Sequence, residues 1–300
     1  MSPASSTAAS RRSSGRRVPR PADPRTTAPG RTPSMTTAQL HRTRAVGHRP
    51  PRLPFARAAG PLLLLTAWWT SSGTGLLDPQ TLASPTDVLR TALDLLGTSE
   101  LQRHLLISLQ RAALGLAFGV ATGLALALTA GLSRLGEALF DGTVQLVRSL
   151  PILALVPLAI LWFGIGEEVK VILVALGTLV PVYLNTHAAL TGLDVRHAEL
   201  AQTLDLSRGQ FLRRIALPGA APGFFTGLRM SVTISWLVLV VSEQINASSG
   251  IGYLMTQART FGRTDVIVVG LVVYGLLGLL SDTLVRLLER KALAWRRTLS

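Results

Sequence analysis

Residues 112–133 read AALGLAFGVATGLALALTAGLS, a run of 22 residues without a charge, bounded by Arg111 and Arg134. A bilayer core about 30 Å thick needs roughly 20 helical residues to cross it, so this run is long enough to span a membrane. Gly115, Gly119 and Gly123 recur every four residues and share one helix face, where absent side chains let another backbone approach. The stripe is read as packing, not as a ligand site.

Working outward, similar gaps in charge recur. Residues 58–77, 149–166 and 171–193 carry no Asp, Glu, Lys or Arg, and the turn-like pair Asp141-Gly142 lets the second of these begin earlier. Two further runs, about 223–246 and 265–285, are less clean, with Arg229 near the start of one and Asp282 near the end of the other. Charges so placed can snorkel to the interface. The reading is an all-α, polytopic membrane protein with six transmembrane helices. A cleaved signal peptide ending at Ser71-Ser-Gly-Thr-Gly75 competes for the first run, whose full length favours an anchor. Pro151, Pro157 and Pro181 are expected to interrupt the third and fourth spans. They point either to a pathway lined by freed carbonyls, with Pro151 and Pro157 as its candidate residues, or to kinked packing.

The chain is 15% charged and 48% hydrophobic with a formal charge of +14. Twelve arginines against Asp23 put +11 in residues 1–57, leaving +3 for the rest. That distribution argues against a nucleic-acid partner and for a basic tail before an apolar body. The tail lacks apolar periodicity and reads as a disordered cytoplasmic leader, with Met35 as an alternative start. With the tail inside, positive charge places the loops at 133–141 and 192–221 and the C-terminus inside too. Both termini are then cytoplasmic, in a multi-pass cell-membrane protein. The segments are 1–57 (tail), 58–104 (first helix and external segment), 105–290 (core) and 291–300 (C-terminus).

No cysteine is present, neither lysine (Lys170, Lys291) follows a glycine-rich loop, and the five histidines make no metal-binding spacing. No catalytic residue, metal or cofactor is expected, and an energised function needs another subunit. His187 reads as a satisfied helix-end histidine.

The segment at 192–221 is the most informative. Leu200 and Leu204 sit at i, i+4 on one face of a first short helix. Ser207 and Gln210 form the S-x-x-Q of a capping box that opens a second, carrying Phe211 and Ile215. Pro218 and Pro222 are expected to break the chain before the fifth span.

This run resembles the EAA loop of binding-protein-dependent ABC importer permeases, E-A-A-x-x-x-G followed by I-x-L-P. Glu199 and Ala201 match the Glu and second Ala, Leu200 replaces the first Ala, and Ile215, Leu217 and Pro218 match the close. Asp205 stands where the family has Gly, a position that ends the first helix in a left-handed conformation; Asp tolerates this less well than Gly. The resemblance runs over about residues 100–297. It takes in Arg148-Ser-Leu-Pro151 through Pro157, Trp162-Phe-Gly-Ile-Gly-Glu167, Trp236 through Glu243, Gly250-Ile-Gly-Tyr253, Thr264 to Val269 and Leu284 to Arg290. These look like the sulfonate/nitrate/taurine branch, aliphatic sulfonate permeases most of all.

The resemblance implies an importer permease fold and a coupling element comprising Glu199, Leu200, Ala201, Leu204 and Asp205, with Phe211, Ile215, Leu217 and Pro218. It implies an ABC ATPase subunit, an extracytoplasmic solute-binding protein and a second copy of the permease as partners, with lipid around them. Nitrate, taurine or a thiamine-precursor-like solute are alternatives within the branch. A non-transporting anchor is the alternative from another class. Glu243, near the outer end of the fifth span, reads either as a gate or pathway residue or as a structural carboxylate bonded to nearby backbone.

Overall fold

The computed structural model describes residues 56–78 and 80–295. The readings for residues 1–55, including a start at Met35, lie outside the described residues. Those described form helices and no strand: α1 (Ala56–Gly73), α2 (Pro85–Gly97), α3 (Glu100–Leu132), α4 (Arg134–Ser149), a 3-10 turn (Ile152–Leu155) and α5 (Val156–Phe163). There follow α6 (Glu167–Thr191), α7 (Val195–Thr203), α8 (Arg208–Phe211), a π turn (Leu212–Ala216), α9 (Leu217–Asn246), α10 (Ile251–Thr260) and α11 (Thr264–Ala292).

Among the described residues, four helices are long and apolar enough to cross a membrane: Glu100–Leu132, Glu167–Thr191, Arg208–Ile245 and Thr264–Ala292. Helix α4 with the segment Ile152–Phe163 makes a fifth if that bent pair is one span. The run 58–77 corresponds to α1, whose 18 residues rise about 27 Å.

Helix α6 is the centre of the bundle, gripped by glycine faces on both sides. On α3, a methyl at Gly115 would come within 2.5 Å of Val174 Cβ, and one at Gly123 within 2.6 Å of the Leu179 carbonyl. A methyl at Gly119 would overlap the Thr178 hydroxyl. On α9, a methyl at Gly223 would come within 2.5 Å of the Asn185 carbonyl, and one at Gly227 within 2.7 Å of the Pro181 carbonyl. Backbone contact on two faces explains why α6 is the most enclosed of these spans. Val156, Leu173, Val174, Trp236 and Leu239 form the largest buried apolar cluster at this junction.

Two local expectations fail. Asp141-Gly142 is no turn; it lies inside α4, which is capped by Ser133 Oγ accepting from Gly136 N at 3.3 Å, with Glu137 in its first turn and Arg148 in its last. Asp141 accepts the Tyr183 hydroxyl at 3.1 Å instead of folding onto its own backbone. The segment 133–141 is therefore mostly helix, and the chain bends at Leu150-Pro151, by 87°. Leu150 is extended there because the following proline ring disfavours a helical residue before it. Pro181, by contrast, does not interrupt α6: Asn185 Nδ2 donates to its carbonyl at 2.9 Å, and the helix continues to Thr191.

Candidate functional site

The connection between α6 and α9 begins where Gly192 N donates to Ala188 O at 2.9 Å, closing α6. Helix α7 follows, and its end is built as the sequence pattern predicts. Asp205 takes φ +49, in the left-handed region, and Leu206 N donates to Ala201 O at 3.0 Å. This bond from the third residue past α7 to the third from its end is the Schellman closure. Ser207 then opens α8: its Oγ accepts from Gln210 N at 3.3 Å and its N donates to Gln210 Oε1 at 2.9 Å. Both capping-box bonds are present.

The side chains divide by face. Ala201 is buried, and Phe211 packs against the cluster of Leu190, Ala216 and Ala220. Leu200 and Leu204 are 52% and 59% exposed, with Glu199 and Asp205 exposed beside them. A short helix thus presents two leucines and two carboxylates away from the bundle. Ile215 is half-buried and Leu217 exposed at the start of α9.

Pro218 and Pro222 do not break the chain. Helix α8, the π turn and α9 run on as one helix, Arg208–Ile245. The widened turn, closed by Leu217 N donating to Leu212 O, lies just ahead of Pro218, where a tight turn would leave the ring against the preceding carbonyls. Pro222 lies inside α9, and its carbonyl accepts the Thr226 hydroxyl at 2.9 Å.

At the far end of α9, Glu243 is 1% exposed and accepts from four residues. Its Oε1 takes Arg111 Nη1 at 2.7 Å, its Oε2 takes the Tyr274 hydroxyl and Gly252 N at 2.9 Å each, and Ser108 Oγ lies 2.9 Å from both oxygens. Buried Arg111 also bonds Glu167, and donates to Ser249 O and Oγ at 2.7 and 2.9 Å. Lys170 Nζ lies 3.4 Å from Glu167, so two acids and two bases balance. The cluster clasps the N-terminus of α10: Gly250 N donates to His104 Nδ1, Ile251 N to Ser108 Oγ and Gly252 N to Glu243, each at 2.9 Å. Gly250 is required here, because φ is +108 and any side chain would strike the Glu243 carboxylate. Free N–H groups at a helix start are satisfied by buried acceptors, one of them anionic.

Residues 115–293 match the family described as the inner membrane component of binding-protein-dependent transport systems. The chain belongs to this family. The permease is 38% identical over 257 residues to a Bacillus subtilis protein assigned as an aliphatic sulfonates transport permease, covering 85% of this chain and 93% of that one. An Escherichia coli protein so assigned is 44% identical, with coverage of 78% and 89%. The Escherichia coli taurine transport system permease is 35% identical, with coverage of 78% and 86%. Among solved structures, an amino acid ABC transporter overlays with a TM-score of 0.53 at 20% identity, covering 63% of this chain and 92% of that chain; this likeness concerns the fold.

In the permease, α9 joins the two places but keeps them apart: the 25 helical steps from Pro218 to Glu243 rise about 38 Å. Pro151 sits at the bend after α4 and Pro157 in the first turn of α5, on a separate arm. Sequence reading found Glu243 but missed its partners. Arg111 served only to mark the edge of a span, although a buried acid needs a counter-charge and a span-edge arginine is a ready source. His187 is also not satisfied: its ring stacks on Tyr183 at 5.4 Å, and its buried Nε2 has no partner among the described residues. No group of three or more His, Asp or Glu among the described residues is placed to hold a metal.

Proposed function

We propose that the chain is the permease subunit of an ATP-driven importer of aliphatic sulfonates, working with an ABC ATPase and an extracytoplasmic binding protein. The exposed Leu200–Leu204 face of α7, flanked by Glu199 and Asp205, carries the reading. Apolar side chains held outward on a short helix with a closed end serve a partner protein rather than the bundle, and a groove on the ATPase is the occupant that family membership supports. Phe211, Ile215, Leu217 and Pro218 tie this element to α9, so that a push on α7 reaches the span. Two copies would enclose the pathway, both termini would face the cytoplasm, and the bend at Pro151 with the start of α5 at Pro157 would line or shape the route.

The two relatives assigned to aliphatic sulfonates support the solute class. Similarity to a taurine permease favours taurine as the second reading, and both solute classes share the sulfonate group. We assign Glu243 to holding α10 against α3, and through it to the shape of the gate at that end. The test is sulfonate-dependent growth and uptake in a deletion strain. Glu199→Lys reverses the charge on the docking face and should abolish uptake while leaving the protein in the membrane. Normal uptake in the deletion strain would remove the assignment; normal uptake by the variant would remove only the coupling role of Glu199.

A further inference from the structure

At the end of the bundle where α9 begins and α11 finishes, a cleft of about 690 Å³ opens between the two helices. Its lining includes Thr226, Arg229, Arg286, Glu289 and Arg290. Asp282 sits above it between two arginines, accepting from Arg229 Nε at 3.2 Å and Arg286 Nε at 2.7 Å. Three guanidinium groups face two carboxylates, leaving a positive excess. The Nη groups of Arg229 and the whole guanidinium of Arg290 donate to no described residue. Arg286, whose Nε and Nη2 both lie 2.7 Å from Asp282, stands one turn before Arg290 on α11, so paired and free guanidinium groups form a short ladder along the cleft.

Toward the middle of the span, Leu279 and Val272 lie seven and fourteen residues before Arg286, on the same face of α11, and are 68% and 49% exposed. Cationic donors at the helix ends with bare apolar surface directly above them reproduce the profile of a phospholipid, headgroup below and acyl chains above. Basic clefts between spans are a recurrent seat for anionic headgroups. We propose that this cleft binds the phosphodiester of an anionic phospholipid, with its chains along Leu279 and Val272. Arg290 and the outer nitrogens of Arg229 would donate to the phosphate oxygens. Glu289 can accept from headgroup hydroxyls, which suits a glycerol headgroup.

The test uses the full chain, purified and stripped of lipid, titrated by native mass spectrometry with phosphatidylglycerol and phosphatidylethanolamine of matched acyl chains. Phosphatidylglycerol should bind in preference. Each arginine removed should weaken it about fivefold, so Arg286→Gln with Arg290→Gln should weaken it about twenty-fivefold. Lys291→Gln removes the same charge outside the cleft and should change binding less than about twofold. If the double variant does not fold, Arg290→Gln alone should still give the fivefold step. Equal binding of the two lipids, unchanged binding in Arg290→Gln, or an equal loss in Lys291→Gln would overturn the proposal. Displacement of the lipid by millimolar phosphate or methanesulfonate would mark a free-oxyanion site and overturn it as well.

Discussion

Replacing Glu243 by Gln keeps the volume of the side chain and removes its charge, and the geometry says where the damage falls. Both carboxylate oxygens face donors: Oε1 faces Arg111 and Oε2 faces Tyr274 and the Gly252 amide. A glutamine offers one oxygen and one NH2, so either orientation sets a donor against a donor. Breaking a buried pair costs about 3–5 kcal/mol. Arg111 keeps Glu167, whose side chain is 59% exposed, so the lower end, about 3 kcal/mol, applies. The loss should concentrate at the start of α10, where the amides of Gly250, Ile251 and Gly252 are held by the cluster. In amide exchange on the full chain in lipid nanodiscs, 3 kcal/mol corresponds to roughly a hundredfold faster exchange at these positions. Amides of α6 facing Gly115 and Gly123 should keep their protection. Acceleration below about tenfold, or the same at both places, would refute the account of Glu243 as the fastening of α10. Uptake in the same variant tests the gate: unchanged uptake and assembly would leave Glu243 no part in it.

Gly119→Val should prevent stable insertion, because the new side chain overlaps Thr178 and stands against the Ala175 carbonyl, whereas Gly142→Ala, with open space around it, should leave membrane abundance unchanged; immunoblots of membrane fractions compare them. Asp205→Gly should relieve the left-handed strain at φ +49, worth about 1 kcal/mol, and slow exchange of the Leu206 amide about fivefold; faster exchange would contradict the Schellman closure.

The end of α7 and the start of α8 were legible residue by residue, since a left-handed closure and a capping box involve partners three to five residues apart. Breaks at proline were less legible. Pro151 ends a helix and Pro181 does not, because Asn185 bonds the Pro181 carbonyl and α3 and α9 hold α6 on either side. Pro218 is absorbed by a π turn whose widening depends on how far the preceding helix is already committed.

The sequence by itself determined that the chain is a helical membrane protein, where its apolar spans run, and that an exposed capped loop interrupts them. These follow from length, charge spacing and local backbone bonding. Only the tertiary structure decided that the glycine stripe of α3 meets α6 and that Arg111 answers Glu243. It also decided that Glu243 clasps the start of α10. The bonds from Arg111 and Ser108 to Glu243 join residues more than a hundred positions apart, and burial, which gives a charge pair its strength, exists only after the helices have packed.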